Sequence, residues 1–422
     1  MHLCLLSCKE RILDNPFVII AHVPTDSVME GFLPELRIKG QELRLVTDQP
    51  DLYHEYIEQG VLTPNEIVAA DVFNPVAIIN ALTQAIIIPA AIFSNSDHLQ
   101  TATAIAAEFY NLPTKNWKAC YRTKNKRVMR DTINASELDS VWCRSVCERS
   151  ELMMPDISFP CVVKPVQGVA SEHVFLAQDN QALHEYAESY WSNAPLQPLL
   201  LEEYLIGPLH TLETIGDGNE IYILGSFETA LSEPPYFIEL GRRFKRNLDE
   251  QDADTLLRQL KALGVGFGAC HTEFIMTKDG PRLIEVNYRN IGDQSDFLIA
   301  EALEFNTFSA VIDLHLGKPI GVIPKTSKCA LIRCQVAKNS GVLGFVPETQ
   351  SLLKNGCQVH FHPLCVGGNF HQQDFSNRDF LSVIYATGPS EEILSLVMEE
   401  CIEHFNIDVE VDSKIKHSKE VA

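Results

Sequence analysis

The densest chemistry in the chain lies in His271-Thr272-Glu273-Phe274, Lys278-Asp279-Gly280 and Leu283-Ile284-Glu285-Val286-Asn287-Tyr288-Arg289. Apolar and polar residues alternate through the two outer pieces, which is the period of a β-strand. Between them, residues 277–280 carry Asp-Gly, a strong hairpin signal. Folding about that turn sets Glu273 opposite Glu285, to within a residue or two. Glu285, Asn287 and Arg289 are spaced by two and share one strand face. Two carboxylates and a carboxamide then converge. Oxygen donors of this kind suit Mg²⁺ or Mn²⁺, which take few protein groups and leave positions for phosphate oxygens. Arg289 adds a fork for phosphate or carboxylate. Each glutamate alone reads as part of a wet polar face. The full set, inside an otherwise apolar hairpin, points to a metal and phosphate site.

Four further segments carry charge. Phe159-Pro160-Cys161-Val162-Val163-Lys164-Pro165 reads as a buried strand ending in a lysine, which calls for an anion. The loop after it, Gly168-Val169-Ala170-Ser171, is small enough for its backbone N–H groups to approach phosphates. It matches no Walker pattern. Leu199-Leu200-Leu201-Glu202-Glu203-Tyr204-Leu205-Ile206-Gly207 is a strand running into a polar hinge, whose backbone can read an adenine edge. Lys118, Arg122, Lys124, Lys126, Arg127 and Arg130 form a basic run, which alone reads as a solvated helix face. Arg242, Arg243, Lys245 and Arg246 form a second cluster, read as a loop and left open between a receptor for a substrate carboxylate and a solvated charge run. His271 is left open between orienting a ligand and packing.

These groups need elements to hold them. The first ~110 residues alternate strand and helix patterns, which argues for a parallel α/β layer. Strands are read at Phe17-Val18-Ile19-Ile20-Ala21, Glu42-Leu43-Arg44-Leu45-Val46-Thr47 and Ala85-Ile86-Ile87-Ile88-Pro89, and helices over 28–40, 76–84 and 97–110, the last with Asp97 as N-cap. Residues 117–150 read as basic and then helical, with Cys143 and Cys147 on one helix face. Strand patterns follow at 161–164, 199–204, 211–215, 221–227, 269–276 and 282–286. Helices are read over 252–263 and 295–316. After Lys318-Pro319 the pattern mixes strands and turns and closes on a helix over 390–405 and a charged tail from Asp412 to the end.

The composition narrows the classes of function. The 422 residues are 45% hydrophobic and 21% charged, an ordinary globular balance. With 34 Lys and Arg against 56 Asp and Glu, the formal charge is −22. That opposes nucleic acid as a partner and gains nothing at an anionic membrane surface. No apolar run approaches the ~20 residues of a membrane span. The opening MHLCLLSCKERILD is too short and too soon charged for a secretory signal. The 12 cysteines are scattered and contain no CxxC pair, so reduced thiols in a cytoplasmic protein are expected.

In their order and spacing, the lysine strand, the hinge and the carboxylate hairpin resemble the ATP-grasp superfamily, over roughly residues 115–320. The resemblance implies an α/β (α+β) ATP-grasp fold: an N-terminal parallel α/β domain over 1–114, ATP-grasp subdomains over 115–195 and 196–320, and a C-terminal α+β segment over 321–422. It implies ATP as substrate, with Lys126 and Lys164 on the phosphates and Ser171 in the covering loop. Glu202, Glu203 and Leu205 then form the adenine hinge, Glu273, Glu285 and Asn287 hold two Mg²⁺ or Mn²⁺ ions, and Arg289 and Lys164 act on the transferred phosphate. The family's usual ribose glutamate is replaced here by Leu209, so His210 or Glu213 is the substitute. Arg242, Arg243 and His271 are the substrate residues.

Within the superfamily, His271-Thr272-Glu273 and Asn287-Tyr288-Arg289-Asn290-Ile291-Gly292-Asp293 look most like carboxylate–amine ligases. These join a small carboxylic acid to an amine or amino acid through an acyl phosphate, giving ADP and phosphate. Asp293-Gln294-Ser295-Asp296 adds a likeness to ligases of carboxylate siderophore assembly, such as that of vibrioferrin. Small-molecule partners, no nucleic acid, no membrane and a homodimer are implied. The alternatives left open are a nucleotide-binding protein without catalysis and a central-metabolism enzyme such as one of purine synthesis.

Overall fold

The computed structural model describes residues 15–153, 156–168, 170–195, 197–325 and 327–410. The opening segment 1–14 and the charged tail 412–422 lie outside the described residues. The chain divides into two compact units. One is Met1–Thr114 with Ile312–Lys318, and the other is Lys115–Val311 with Pro319–Ala422.

In the first unit, β1 (Phe17–Ile20), β2 (Leu43–Thr47), β3 (Ile67–Ala69) and β4 (Ala91–Phe93) pair in parallel in the order β3-β2-β1-β4. All four residues of β1 are buried, as an unbroken apolar run in a parallel sheet should be. Helices α1 (Leu33–Ile38), α2 (His54–Glu58), α3 (Pro75–Gln84) and α4 (Gln100–Phe109) alternate with the strands. Ile78 and Leu82 of α3 and Ala102 and Ala106 of α4 pack with Val18, Ile20, Val46 and Ile92. Asn74 caps α3 by accepting from the backbone N–H of Val76 and Ala77.

Two expectations fail here. Ala85-Ile86-Ile87-Ile88-Pro89 is not a strand: α3 runs to Gln84, and Ile86 turns through φ +55° with 76% exposure. Pairing with β1 resumes only at Ala91, past a proline that cannot donate to a ladder. Asp97 does not cap α4; it is buried inside a 3₁₀ turn that precedes the helix.

In the second unit α5 (Trp117–Lys124) and α6 (Lys126–Ala135) carry the basic run. Asn125 caps α6 through the Val128 N–H and places Lys126 at its first residue. β5 (Cys143–Val146), β6 (Cys161–Pro165), β7 (Phe175–Ala177) and, after α7 (Asn180–Asn193), β8 (Leu199–Glu203) form an antiparallel sheet in the order β5-β8-β6-β7. Cys143 is thus on a strand and not on a helix with Cys147. Val163, Leu199 and Leu201 pack on Leu183 and Ala187 of α7.

The rest of the unit is built on β9 (Leu209–Asp217), β10 (Ile221–Leu231), β11 (Glu239–Lys245), α8 (Glu250–Leu263), β12 (Phe267–Thr277) and β13 (Gly280–Asn287). There follow α9 (Ser295–Leu303), α10 (Thr307–His315), β14 (Cys329–Val336), β15 (Gly341–Leu343), β16 (Gln350–Lys354), β17 (Cys357–Pro363), β18 (Phe370–His371), β19 (Phe380–Gly388), α11 (Glu391–His404) and β20 (Val409–Glu410). Nine strands form one sheet, β13-β12-β9-β10-β11-β14-β19-β17-β16, and β18-β15-β20 form a small one. The single helix read over 295–316 is broken between α9 and α10, where Glu304 adopts φ +50°. The segment of Arg242 and Arg243 is a strand, β11, and not a loop. The described cysteines are free, and no described helix is long and apolar enough to cross a membrane.

Candidate active site

One cavity of about 480 Å³ lies within the second unit, inside the range of small-molecule sites. Its best-defined wall is the β12–β13 hairpin. The register is His271 opposite Asn287 and Glu273 opposite Glu285. On the other side of β12, His271 faces Glu213, Glu273 faces Thr211, and Ile275 faces Leu209 of β9. Alternation therefore puts Leu209, Thr211 and Glu213 on one face and His210 on the other. His210 stacks on Phe274 with ring centroids 5.6 Å apart and does not line the cavity. It is not in place to hold a ribose.

Glu213 is no free substitute either. Its Oε1 lies 2.8 Å from His271 Nδ1 and accepts from Thr211 Oγ1 at 2.6 Å. His271 Nε2 lies 3.3 Å from Glu273 Oε1. Burial alone would push the imidazole pKa down, but Glu213 and Glu273 outweigh it and raise it to about 10. His271 is thus a cation clamped between two carboxylates. Glu273 in turn is held below the ordinary carboxylate range, against burial, by His271, Lys126 and Arg242.

Two lysines line the cavity. Lys126 Nζ donates to Glu285 Oε1 and to the Gly168 carbonyl, both at 2.9 Å. Lys164 Nζ lies 2.5 Å from Glu202 Oε2, and Arg130 Nε donates to Glu202 Oε1 at 3.0 Å. Burial pushes the Glu202 carboxyl up, but Lys164 and Arg130 prevail and bring it down to about 2. The Glu202 side chain is therefore engaged in positioning Lys164. Glu203 is tied to Trp142 through both its N–H and its carboxylate. Tyr204 and Leu205 line the cavity from the stretch just past the sheet. Gly207 ends it at φ +154°, where a Cβ would sit 2.0 Å from the Met276 carbonyl oxygen, so only glycine fits. Ser171 lines the cavity from the covering loop, in which Ala170, Ser171 and His173 all have positive φ.

β11 supplies a further wall of the cavity. A register shift between Ala230 and Leu231 of β10 brings Glu239 and Arg242, three apart, to the same cavity face. Arg242 is buried. Its Nε donates to Glu239 Oε2 at 2.7 Å, its Nη1 to Ser295 Oγ at 2.8 Å and its Nη2 to Asp293 Oδ2 at 3.3 Å. Arg243 points the other way and pairs with Glu391 of α11 at 2.5 Å, so it is not a cavity residue. Arg289 lines the cavity, its Nη1 donating to the Asn290 carbonyl at 2.6 Å. Lys126 and Arg130 are buried and not part of a solvated helix face, and the sequence reading missed Glu239, Asn377 and Arg378. The last two line the cavity from a segment distant in sequence, which no local pattern announces.

Among the described residues no three Asp, Glu, His or Cys side chains converge as a metal cage. Glu273, Glu285 and Asn287 still offer oxygen donors beside the cavity, and Lys126 and His271 already place positive charge against the two carboxylates. A divalent cation that keeps most of its positions for phosphate and water fits such a set.

A family model, the ATP-grasp domain, matches residues 96–293. An uncharacterized protein, y4rH, of Sinorhizobium fredii is 27% identical over 56% of this chain and 51% of its own. Dapdiamide A synthase of Enterobacter agglomerans is 24% identical over 46% and 49%. The chain spans about half the length of each of these relatives. Among solved structures, an L-amino acid ligase from Bacillus licheniformis superposes with a TM-score of 0.74 at 19% identity, covering 94% of this chain and all of that one. Phosphoribosylglycinamide synthetase from Anaerococcus prevotii superposes with 0.69 at 13%, covering 94% of this chain and 100% of its own. The fold is the ATP-grasp fold.

Proposed function

We propose, from the premise that this chain is a member of the ATP-grasp superfamily, that it is an ATP-dependent carboxylate–amine ligase. The observation that carries this reading is the register of Glu273 against Glu285, with Lys126 on one carboxylate and Arg289 in the same cavity. Carboxylates resist amines at neutral pH because oxide is a hopeless leaving group. The remedy is to make the leaving group phosphate.

In the proposed reaction a carboxylate oxygen attacks the γ-phosphorus of ATP, the bond to the β-phosphate oxygen breaks, and ADP leaves. The amine then attacks the acyl carbon, loses a proton, and expels phosphate. This chain needs no nucleophile of its own. Lys126, Lys164 and Arg289 would set and neutralise the phosphates, which is most of what phosphoryl transfer asks of a protein. Glu273, Glu285 and Asn287 would hold Mg²⁺ or Mn²⁺, which supplies charge neutralisation between the phosphates when bound. The covering loop at Ser171 would keep water from the acyl phosphate.

Within this reading we take 115–195 and 196–320 as the two ATP-grasp subdomains and 321–422 as the C-terminal segment. A cytoplasmic homodimer using two divalent ions is the working form, checked by light scattering and by metal titration. Siderophore assembly is the narrower proposal. It rests on the likeness around Asp293-Gln294-Ser295-Asp296 and is tested by iron-limited growth of a deletion strain. The test of the ligase itself is ADP release from ATP and Mg²⁺ over a matrix of small acids and amines. Release should need one acid and one amine together, and Glu285→Gln should cut it by about 100-fold or more. Undiminished ADP release in that variant would remove the metal assignment.

A further inference from the structure

Arg242 was read from the sequence as a receptor for a substrate carboxylate. Its geometry opposes that. Nε, Nη1 and Nη2 all have partners inside the protein, and two of those partners are carboxylates. Glu239 Oε2 takes the Nε–H, and Asp293 Oδ2 takes an Nη2–H. One guanidinium between two carboxylates leaves the corner with a net charge of −1. Asn377 Nδ2 donates to the other Glu239 oxygen at 2.9 Å, which fixes that carboxylate in place. A second anion here would meet two carboxylates whose cation is already engaged.

The surroundings fit a cation with an apolar body. Glu239, Arg242 and Asp293 line the cavity together with Leu231, Phe237 and Ile291. Leu231 is the cross-strand partner of Glu239, and Ile291 lies two residues before Asp293. The Asp293 side chain keeps 47% exposure against 4% for Arg242, so it retains room for a ligand. Asp293 and Gln294 adopt φ +53° and +63°, a strained pair of the kind found where a side chain must be delivered to one spot. Burial and the neighbouring charges of Glu273 and Asp293 push the Glu239 carboxyl up, and Arg242 only partly opposes them. A divalent metal would have to share the two carboxylates with Arg242, whereas an ammonium needs only one or two acceptor oxygens.

We propose that the Glu239–Asp293 corner receives the protonated amine of the second substrate, a primary ammonium on an apolar body, with Arg242 holding the carboxylates in place. This rests on the ligase reading of the cavity. It assigns the amine to the β11 corner and leaves the acid to Arg289.

The test is direct binding to the full chain with ADP and Mg²⁺ present, by saturation-transfer NMR. The probes are isopentylammonium and, as the matched anion, 4-methylpentanoate. Isopentylammonium should bind, and Glu239→Gln should weaken it about tenfold or more, the usual cost of losing a charged partner. Asp293→Asn, at a half-exposed position that does not threaten folding, should weaken it severalfold. Neither change should weaken 4-methylpentanoate. The assignment is overturned if isopentylammonium fails to bind, if both variants bind it like wild type, or if 4-methylpentanoate binds and loses affinity on Arg242→Gln. If Glu239→Gln does not fold, Asp293→Asn decides. Turnover is scored separately over the acid and amine matrix. A silent matrix with Asp293-dependent amine binding sinks the ligase reading alone. Turnover with amine binding indifferent to both variants sinks the corner alone.

Discussion

Two arginines face the same cavity and differ in what already neutralises them. Arg242 sits buried between Glu239 and Asp293. Among the described residues Arg289 has no carboxylate partner, and its Nη1 donates to a backbone carbonyl. A buried guanidinium with carboxylates beside it is scaffold, because removing one partner strands the other charge. A guanidinium without them keeps its fork for an incoming anion. Residue type and location do not separate the two; their partners do. In the proposed reading the contrast separates the anion-receiving groups, Lys126, Lys164 and Arg289, from the cation-receiving corner on β11.

Substituting each arginine is the strongest way to break this contrast. Arg289→Lys keeps the charge and loses the fork. It should cut the rate of ADP formation by ~10²–10³-fold, the scale of one lost transition-state partner, while the urea midpoint stays near wild type. Arg242→Met should do the reverse in kind. It leaves Glu239 and Asp293 without their cation and should cost about 3–5 kcal/mol in unfolding free energy. Equal stability losses in the two variants would erase the distinction between receptor and scaffold.

A third arginine sharpens it through pH. Arg130 is fully buried, and with Lys164 it holds Glu202 down at about 2, from 4.5 for a free carboxyl. A carboxylate depressed in the folded state adds stability that is complete above its unfolded pKa and is lost as pH falls through its folded pKa. Stability should therefore drop between pH 4.5 and 2. Glu202→Gln should flatten that limb, at the expense of stability at neutral pH. Chemical denaturation at pH 2.5, 3.5, 4.5 and 7 reads both. An acid limb of the same depth in Glu202→Gln would place its origin elsewhere.

The hairpin was legible because two local rules agree. Alternation fixes which residues share a face, and Asp279-Gly280 fixes where the strands turn back. Counted back from the turn alone, Glu273 would meet Ile284; a one-residue register shift between Glu273 and Phe274 brings Glu285 opposite it instead. β11 was illegible for a physical reason. Gly241-Arg242-Arg243-Phe244-Lys245 puts cations on both faces, so the apolar period of a strand is masked. Each cation is balanced from afar, Arg242 by Asp293 and Arg243 by Glu391. The bulge that brings Glu239 beside Arg242 leaves no trace in composition. His271 was undecided because its deciding partner, Glu213, is 58 residues away on β9. The 85–89 segment misled because a run of isoleucines has the same composition in a strand and at a helix exit.

The smallest effect belongs to Arg378, a cavity arginine that is exposed. Its Nε donates to Glu172 Oε1 at 2.8 Å, with the two side chains 58% and 34% exposed. Next to it the Asn377 N–H donates to the Ala170 carbonyl at 3.0 Å. Together they tie the covering loop to the C-terminal segment, across residues whose positive φ makes the loop conformation strained. An exposed ion pair contributes only ~0.2–1 kcal/mol and is screened by salt. Arg378→Ala should therefore raise the KM for ATP no more than about fivefold and leave kcat unchanged. Wild type and variant should converge at high salt, because screening removes in one what the substitution removes in the other. Steady-state kinetics in 50 and 500 mM NaCl, chosen to bracket a Debye length of ~10 Å at 0.1 M, make the comparison. A KM difference that persists at high salt would mean that Arg378 touches the nucleotide itself, and would move it from the latch to the anion-receiving groups.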